Sequence, residues 1–527
     1  MSPSSITPTA SDMNAMSGKL RNLVQAQRPD IKIDFASKQK TYTTLDRIEG
    51  TVTIRPHIDT NFDTIEIDFV GTSLTSVERI TTAAAATGQS HAQHQFLKLQ
   101  QPGLQQLYPE DLVLKAGRSY SFPFVFAVPE QLLPRICQHT VDNDALRDAH
   151  LRLPPTFGDK DIGGRHKGFD DLAPDMSSIR YGIFVKIAEI KTKGDEIWGS
   201  TIASKARRLR VIPAVEEQPP LDVHQEDGEY TMRKEKTLRK GVLKGKLGTL
   251  VMEATQPAAF KMTSYNNPNA PISTMATIML RFDPIDKNSP PPNLEKLSSK
   301  LKVTTYFAST ARQAVPTKKL SIFDVSQGSH TEQLNLSSRC VANVEWTKQD
   351  KSLVRRDSAT SNHSLETGLT PEPSEGYKGG SYYTARVIVP LTLPSNKAFV
   401  PTFHTCLISR VYTLKLDLSI SSAGIGPSVD LKVPVQISSE CLISDELART
   451  DSMGSTNEED VDVDDVSNFF ANVFEPRTTR IASQSYIGRS RIGSQAPTDD
   501  APPGYSSNTS AIASSLTERR AMSVPVY

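Results

Sequence analysis

Residues 114–129 read LKAGRSYSFPFVFAVP, and apolar side chains occupy every second position from Tyr120 to Val128. Side chains on a β-strand project to opposite faces in turn, so this stretch buries one face and exposes the other. An amphipathic helix would instead repeat its apolar residues every three or four positions. We therefore predict a strand whose aromatic face packs on a core.

The same period of two recurs along most of the chain. It is found at residues 31–35, 65–69, 179–187, 278–282, 387–391, 412–420 and 431–437. Many such strands separated by turn signals predict stacked antiparallel sheets, so the expected fold class is all-β. Only residues 229–240 are a passable helix candidate, and a strand is an open alternative there too.

Length and composition limit the kinds of protein that this chain can be. With 527 residues, 35 Pro and 28 Gly, the chain is long enough for more than one domain and favours short strands over long helices. A net charge of +1 gives no signal for nucleic acid, and we expect no nucleic-acid partner. The polar N-terminus and the lack of a long apolar run predict a soluble cytoplasmic protein that reaches membranes only peripherally.

The thiols carry no recognisable metal spacing. Cys137, Cys340, Cys406 and Cys441 are the only cysteines, and none forms a CxxC pair. Such scattered residues predict reduced thiols, with no metal site and no cofactor.

Breaks in the alternation predict the domain organisation. We expect an unstructured N-terminus at 1–27, a β-sandwich at 28–213, a hinge at 214–229 and a second β-sandwich at 230–442. Residues 83–95 read as an inserted loop, and residues 348–381 as a disordered insertion. Beyond the second sandwich, 443–527 is predicted to be a disordered, Ser-rich, acidic tail. From residue 444 onward it holds seven Lys/Arg and thirteen Asp/Glu, a net charge of −6.

Ordered local motifs resemble the arrestin family. Residues 46–52 (DRIEGTV) are similar to its IxGxV strand, and 114–129 to its L-x-x-G…F-P-F-x-F-x-V-P strand. In the second half, 405–414 (TCLISRVYTL) looks like the C-x-I-x-x-x-Y-x-L strand, and 431–437 like the closing L-x-V-P-V-x-I strand. The resemblance covers roughly 28–442 and implies two tandem arrestin-type, immunoglobulin-like β-sandwiches.

Resemblance to the fungal α-arrestins also implies a function. Such proteins are adaptors without catalysis that link membrane transporters or receptors to WW-domain HECT-type ubiquitin ligases, which promotes ubiquitination and endocytosis of the cargo. The implied partners are that ligase and the cytosolic tails of cargo, at the plasma membrane or endosomes. The alternative is a vesicle-sorting or signalling scaffold on the same fold that needs no ubiquitin ligase.

The predicted tail contains one specific short motif. Pro502-Pro503-Gly504-Tyr505 is a PPxY sequence. WW domains bind a polyproline II segment whose prolines cross an aromatic groove, and proline preforms that conformation at little cost in entropy. We predict that Pro502, Pro503 and Tyr505 bind a WW domain; the alternative is a chance match in a linker.

A basic stretch follows the predicted hinge. It consists of Arg233, Lys234, Lys236, Arg239, Lys240, Lys244 and Lys246. One interpretation is the solvated face of a strand or helix. The other is an anion site that docks acidic or phosphorylated cargo tails, or anionic lipid head groups.

Remaining motifs are weaker. Arg-x-x-Ser patterns make Ser358, Ser483 and Ser523 candidate phosphorylation sites in predicted disorder. His91 and His94 have an HxxH spacing on the predicted loop, with no acidic third ligand nearby, so we interpret them as polar loop residues. His404 and Cys406 would share a strand face, where core packing is favoured over a nucleophilic pair. No catalytic motif is found, and we predict that the protein is not an enzyme.

Overall fold

A computed structural model describes residues 28–37, 41–79, 88–159, 170–193, 196–223, 228–239, 245–262, 271–287, 289–350, 370–421 and 426–440. Strands dominate these ranges, so the all-β prediction is confirmed. Within them, helices are too short and polar for any to cross a membrane.

Among the described residues, ten strands build the first half. They are Asp30–Phe35 (β1), Thr41–Tyr42 (β2), Arg47–Arg55 (β3), Thr60–Asn61 (β4), Thr64–Arg79 (β5), Gly88–Gln100 (β6), Val113–Leu114 (β7), Tyr120–Ala127 (β8), Ser177–Lys193 (β9) and Glu196–Val211 (β10). One sheet has the order β1-β3-β8 and the other β2-β10-β9-β5-β6, while β4 pairs with β7. Buried residues of both larger sheets form one core, so the two sheets are the layers of a sandwich.

In the second half, the residues that the structure describes form twelve strands. They are Arg233–Arg239 (β11), Lys246–Ala254 (β12), Phe260–Met262 (β13), Ser273–Pro284 (β14), Leu294–Ala308 (β15), Gln327–Cys340 (β16), Thr347–Asp350 (β17), Ser381–Thr392 (β18), Phe403–His404 (β19), Ile408–Ile420 (β20), Ser428–Val435 (β21) and Ile437–Ser439 (β22). The sheets have the orders β11-β12-β14-β18-β17 and β16-β15-β20-β19; β21 also pairs with β20, and β13 with β22. A second core lies between the two larger sheets.

Short helices connect some strands. Asp144–Leu151 (α1) and Lys318–Phe323 (α2) are α-helical, and Leu104–Leu107 and Pro134–Ile136 are single 3-10 turns. Helix α1 begins after Asn143, whose side-chain oxygen accepts a hydrogen bond from the Leu146 N–H at 2.8 Å. This contact satisfies one of the backbone donors that a helix N-terminus leaves open.

The aromatic stretch that predicts the fold lies in the first core. Strand β8 buries Phe122, Phe124 and Phe126 and exposes the residues between them, as the alternation predicts. Phe124 pairs directly with Gly50 on the neighbouring strand β3. A Cβ atom on Gly50 would lie 2.4 Å from the Phe124 ring and 2.3 Å from the carbonyl oxygen of Asp34. Glycine is therefore required here because the ring occupies the space of its missing side chain.

Replacing Gly50 by alanine is expected to destabilise the first sandwich by about 1–3 kcal/mol, as overpacking of a core does. The added methyl group would displace backbone as well as the Phe124 ring. Thermal unfolding of the full chain measures the effect. Gly199→Ala is the matched control, since nothing lies within 4 Å of its Cβ position. Equal melting temperatures for the two variants would contradict this account of the core.

The two halves share buried contacts. Arg410 on β20 is only 1% exposed. Its guanidinium donates hydrogen bonds to the carbonyl oxygens of Asp171 and Leu172 and to the hydroxyl of Thr305. Leu172 precedes β9 of the first sandwich but packs in the second core. The halves are therefore joined through their interiors and do not merely touch at the surface.

The second half also contributes residues to the first core. Phe403 and three of its neighbours pack in the first core; these are Val400, Leu407 and Ile408. The Phe403 ring lies 5.6 Å from that of Phe157 in an edge-to-face arrangement. Thr75 Oγ1 donates to the carbonyl oxygen of Ala308 at 2.6 Å, which bonds β5 to the end of β15.

Part of the predicted hinge is hydrogen-bonded to the end of the second sandwich. Val215 and Ser439 exchange backbone hydrogen bonds of 2.9 and 3.0 Å. The Gln218 N–H donates to the side chain of Gln436 at 2.8 Å. The same segment also contacts the first half, since the Ala214 N–H donates to Thr44 Oγ1 at 2.9 Å. Its described residues are therefore held by both halves.

Two predicted insertions are shorter than expected. Residues 88–95 of the predicted 83–95 loop belong to β6. The alternation was hidden because the positions that it buries, Ser90 and His94, are polar. Within the predicted 348–381 insertion, residues 370–380 pack on the sheet. Arg281 and Asp283 are buried there, and the segment supplies their partners: Arg281 donates to the Pro371 carbonyl at 3.1 Å, and Asp283 accepts from the Ser374 N–H at 2.7 Å.

Candidate anion-docking surface

The predicted basic stretch forms an edge strand. Arg233, Lys234, Lys236 and Arg239 lie on β11, which ends the order β11-β12-β14-β18-β17. Lys246 opens β12, whereas Lys240 and Lys244 lie outside the described residues. The segment is therefore a strand, and its basic side chains divide between two faces.

Arg233 is occupied by structural contacts. Its guanidinium lies 2.6 Å from the carboxylate of Glu235, 3.9 Å from that of Glu253 and 3.8 Å from that of Glu372. It also donates to the carbonyl oxygen of Pro373 at 3.1 Å. The residue ties the 370–380 segment to the sheet, and a bound anion would compete with three carboxylates.

Lys234 reaches across to the opposite sheet. Its ammonium lies 2.5 Å from the carboxylate of Asp430 on β21. This hydrogen bond holds the pKa of Asp430 below its ordinary value. Lys236 and Arg239 are exposed to solvent. Of the predicted anion site, these two residues are therefore the ones best placed to meet a partner.

A stronger basic feature crosses the adjacent sheet. Lys300 on β15 is directly opposite Lys415 on β20, and Lys415 is directly opposite Lys432 on β21. We call these three residues the lysine row. Their chain neighbours Leu301 and Leu414 are buried in the second core, so the lysines project from the outer face of the sheet. Like charges in directly opposed positions repel one another, which an anion lying across them would relieve.

Two further lysines extend the row. Lys302 is two residues beyond Lys300 on β15, and Lys318 begins α2 beside it. The pKa of Lys302 is lowered to about 8, first by partial burial and then by the neighbouring Lys318. Glu229 opposes this shift, but not enough to restore the ordinary value. The row, Lys302 and Lys318 together are called the lysine face.

Acidic groups lie beside the lysine face at two places: Glu229 is next to Lys302 and Lys318, and two aspartates lie next to the row. Asp417 and Asp430 are directly opposed, each two residues along its strand from Lys415 or Lys432. Asp430 is already paired with Lys234. The five lysines therefore outnumber the carboxylates beside them, and the surface favours an extended anion.

The histidine motifs do not form the sites that their spacing suggests. His91 and His94 lie on β6, where positions three apart point to opposite faces, so they cannot share a ligand. His94 is buried, and burial lowers its pKa to about 4. Strand β19 ends at His404, and Cys406 lies in the turn that follows, so the predicted shared strand face is wrong.

Other candidate residues fall outside the described part of the chain. These are the WW-binding residues Pro502, Pro503 and Tyr505 and the candidate phosphorylation sites Ser358, Ser483 and Ser523. Their assignments stay predictions from the sequence.

Comparisons with known proteins match both halves of the chain. Residues 31–142, from β1 to just before α1, match the family described as arrestin (or S-antigen), N-terminal domain. Residues 307–439, from the end of β15 through β22, match the family described as Bul1 C terminus. Among curated proteins, none matches the chain. The second match includes Lys415 and Lys432 of the lysine row.

Proposed function

We propose that the chain is an α-arrestin-like, non-catalytic adaptor for membrane cargo, because its two halves match an arrestin N-terminal family and a Bul1 C-terminal family. In this proposal it holds the cytosolic tails of transporters or receptors and recruits a WW-domain HECT-type ubiquitin ligase, so that the cargo is ubiquitinated and endocytosed. The protein acts in the cytoplasm and reaches the plasma membrane or endosomes through its partners.

The observation that carries cargo docking is the lysine row. Lys300, Lys415 and Lys432 hold three ammonium groups in register on a rigid sheet. A cargo tail that is acidic or phosphorylated would gain charge-assisted hydrogen bonds and relieve lysine repulsion at the same time. Lys236 is a separate exposed base on the edge strand β11. Anionic lipid head groups are the other ligands of this chemistry, and they would hold the adaptor at the membrane.

Ligase recruitment is assigned to the tail on sequence grounds. Pro502 and Pro503 preform the polyproline II conformation that a WW groove binds, and Tyr505 fills the adjacent pocket. The arrangement separates the two tasks: the folded halves hold the cargo, and the tail brings the ligase to it.

Tyr505→Ala is expected to weaken binding of the full chain to an isolated WW domain by at least about 10-fold, because the side chain is the aromatic anchor of the motif. Tyr486→Ala, elsewhere in the same tail, is the matched control and should bind as the unaltered chain does. Isothermal titration calorimetry measures both affinities. If Tyr505→Ala binds as tightly as the control, the ligase role fails and an adaptor that works without a ubiquitin ligase is favoured.

A further inference from the structure

Four metal-ligating side chains meet at the junction of the two halves. Cys137 and His139 follow the 3-10 turn Pro134–Ile136, His150 lies on α1, and Cys406 comes from the turn between β19 and β20. Their ligand atoms all lie within 4.8 Å of one another. The set thus joins three positions of the first half to one in the second half, 256 residues after His150.

The distances suit a tetrahedral ion. Zn–S and Zn–N bonds of about 2.3 and 2.1 Å at tetrahedral angles place sulfur and nitrogen about 3.6 Å apart. Cys137 Sγ lies 3.3 Å from His139 Nε2 and 3.6 Å from His150 Nδ1. The remaining separations within the 4.8 Å limit need only small side-chain movements to reach the same geometry.

Burial and the surrounding hydrogen bonds also fit a closed structural site. Cys137, His150 and Cys406 are each no more than 2% exposed, and His139 is half-buried. His139 Nδ1 lies 3.0 Å from the carbonyl oxygen of Thr140; a proton donated there leaves Nε2 as the ligand atom. Metal-bound histidines ordinarily make this second contact, because it fixes the ring and its tautomer.

The ligands are held by elements that are themselves fixed. The Asn143 cap starts α1 and sets the position of His150 near its end. Arg312 donates its N–H to the carbonyl oxygen of Cys406 at 3.0 Å and its guanidinium to the hydroxyl of Ser409 at 2.7 Å. The turn that carries Cys406 is therefore anchored independently of any metal. Asp142 also donates its N–H to the Gln313 carbonyl at 2.8 Å, which links the segment before α1 to the segment after β15.

We propose that Cys137, His139, His150 and Cys406 bind one Zn²⁺ ion that fastens the first half of the protein to the second. Two sulfur and two nitrogen ligands in a closed tetrahedral set are the donors that structural zinc prefers. On binding, each thiol loses its proton and coordinates as thiolate, so no oxidant or reductant is required. The ion clamps the α1 region to the β19–β20 turn and fixes the orientation of the two sandwiches.

Metal content of the purified full chain tests the proposal. We expect about one zinc ion per chain by mass spectrometry of the metal, and X-ray absorption that fits two sulfur and two nitrogen ligands. Cys406→Ser and His150→Asn should each lose most of the zinc. Cys340→Ser, an exposed cysteine on β16, is the matched control and should keep it.

A cobalt experiment guards against variants that fail to fold. Co²⁺ added to the zinc-stripped full chain should give the thiolate-to-cobalt charge-transfer band and intense visible bands of a tetrahedral site, and Zn²⁺ should abolish them. A chain with neither zinc nor this spectrum overturns the proposal, as does a spectrum unchanged in Cys406→Ser. A disulfide between Cys137 and Cys406 in the freshly purified chain, seen as two missing thiols, also overturns it.

Discussion

Arg208→Met is expected to lower the free energy of unfolding by about 3–5 kcal/mol, the cost of leaving a buried charge without its partner. Arg208 on β10 lies 2.7 Å from Asp159, whose side chain is only 1% exposed, while the arginine itself is 8% exposed. The carboxylate is almost fully shielded from water in the folded chain, so removing the guanidinium takes away a partner that solvent does not readily replace. Urea unfolding of the full chain measures the loss.

A double variant tests whether the ion pair itself, and not the packing around it, causes the loss of stability. Arg208→Met with Asp159→Leu removes both charges, and apolar pairs of similar size often replace buried ion pairs at little cost. We therefore expect the double variant to unfold at a higher urea concentration than Arg208→Met alone. Arg118→Met, at an exposed position, is the control and should change stability by less than about 0.5 kcal/mol. A double variant no more stable than Arg208→Met would show that the ion pair is not the cause.

Reversing the lysine row should have the largest effect on binding. In a variant with Lys300, Lys415 and Lys432 all changed to glutamate, an acidic phosphopeptide would meet three carboxylates in place of three ammonium groups. Charged hydrogen bonds are each worth about 1.5–3 kcal/mol, so we expect at least about a 100-fold loss of affinity. Fluorescence anisotropy with a labelled phosphopeptide measures it.

The matched control keeps the same net charge. Lys32, Lys287 and Lys378 are exposed and lie away from the row, and changing all three to glutamate should leave peptide affinity nearly unaltered. Equal losses of affinity in both triple variants would mean that only the total charge matters, and would contradict the proposal that the lysine row docks the peptide.

The pKa of Lys302 gives a further check on the same surface. Because this pKa is lowered to about 8, the amine is charged at pH 7 and largely neutral at pH 9. Peptide affinity should therefore fall as the pH rises from 7 to 9. Lys302→Met should remove most of this fall while leaving the row in place. An identical pH profile in Lys302→Met would exclude Lys302 from the docking surface.

The sequence predicted the strands well where one face is apolar. On β8 the alternating aromatics set the register as well as the element, because shifting by one residue would move every ring to solvent. Helix α1 was missed. It has eight residues and buries only Leu146 and His150, which are too few to show a helical repeat of apolar residues. The Asn143 cap was the one available signal.

The candidate sites were harder to predict because they depend on pairing between distant strands. A run of basic residues at 233–246 is visible along the chain, yet Arg233 and Lys234 are paired with acids. Lys300, Lys415 and Lys432 form a row only through the register of β15, β20 and β21. Likewise, Cys406 joins Cys137 through the packing of the two halves, and no local spacing indicates it.

Affinity purification of the full chain from cells is the most direct test of the adaptor. We predict that the unaltered protein retains both a HECT-type ubiquitin ligase and a membrane transporter or receptor. Tyr505→Ala should lose the ligase and keep the cargo, whereas the lysine-row variant should lose the cargo and keep the ligase. If both partners are retained by both variants, or if neither is bound by the unaltered chain, the account of this protein as a ligase adaptor is contradicted.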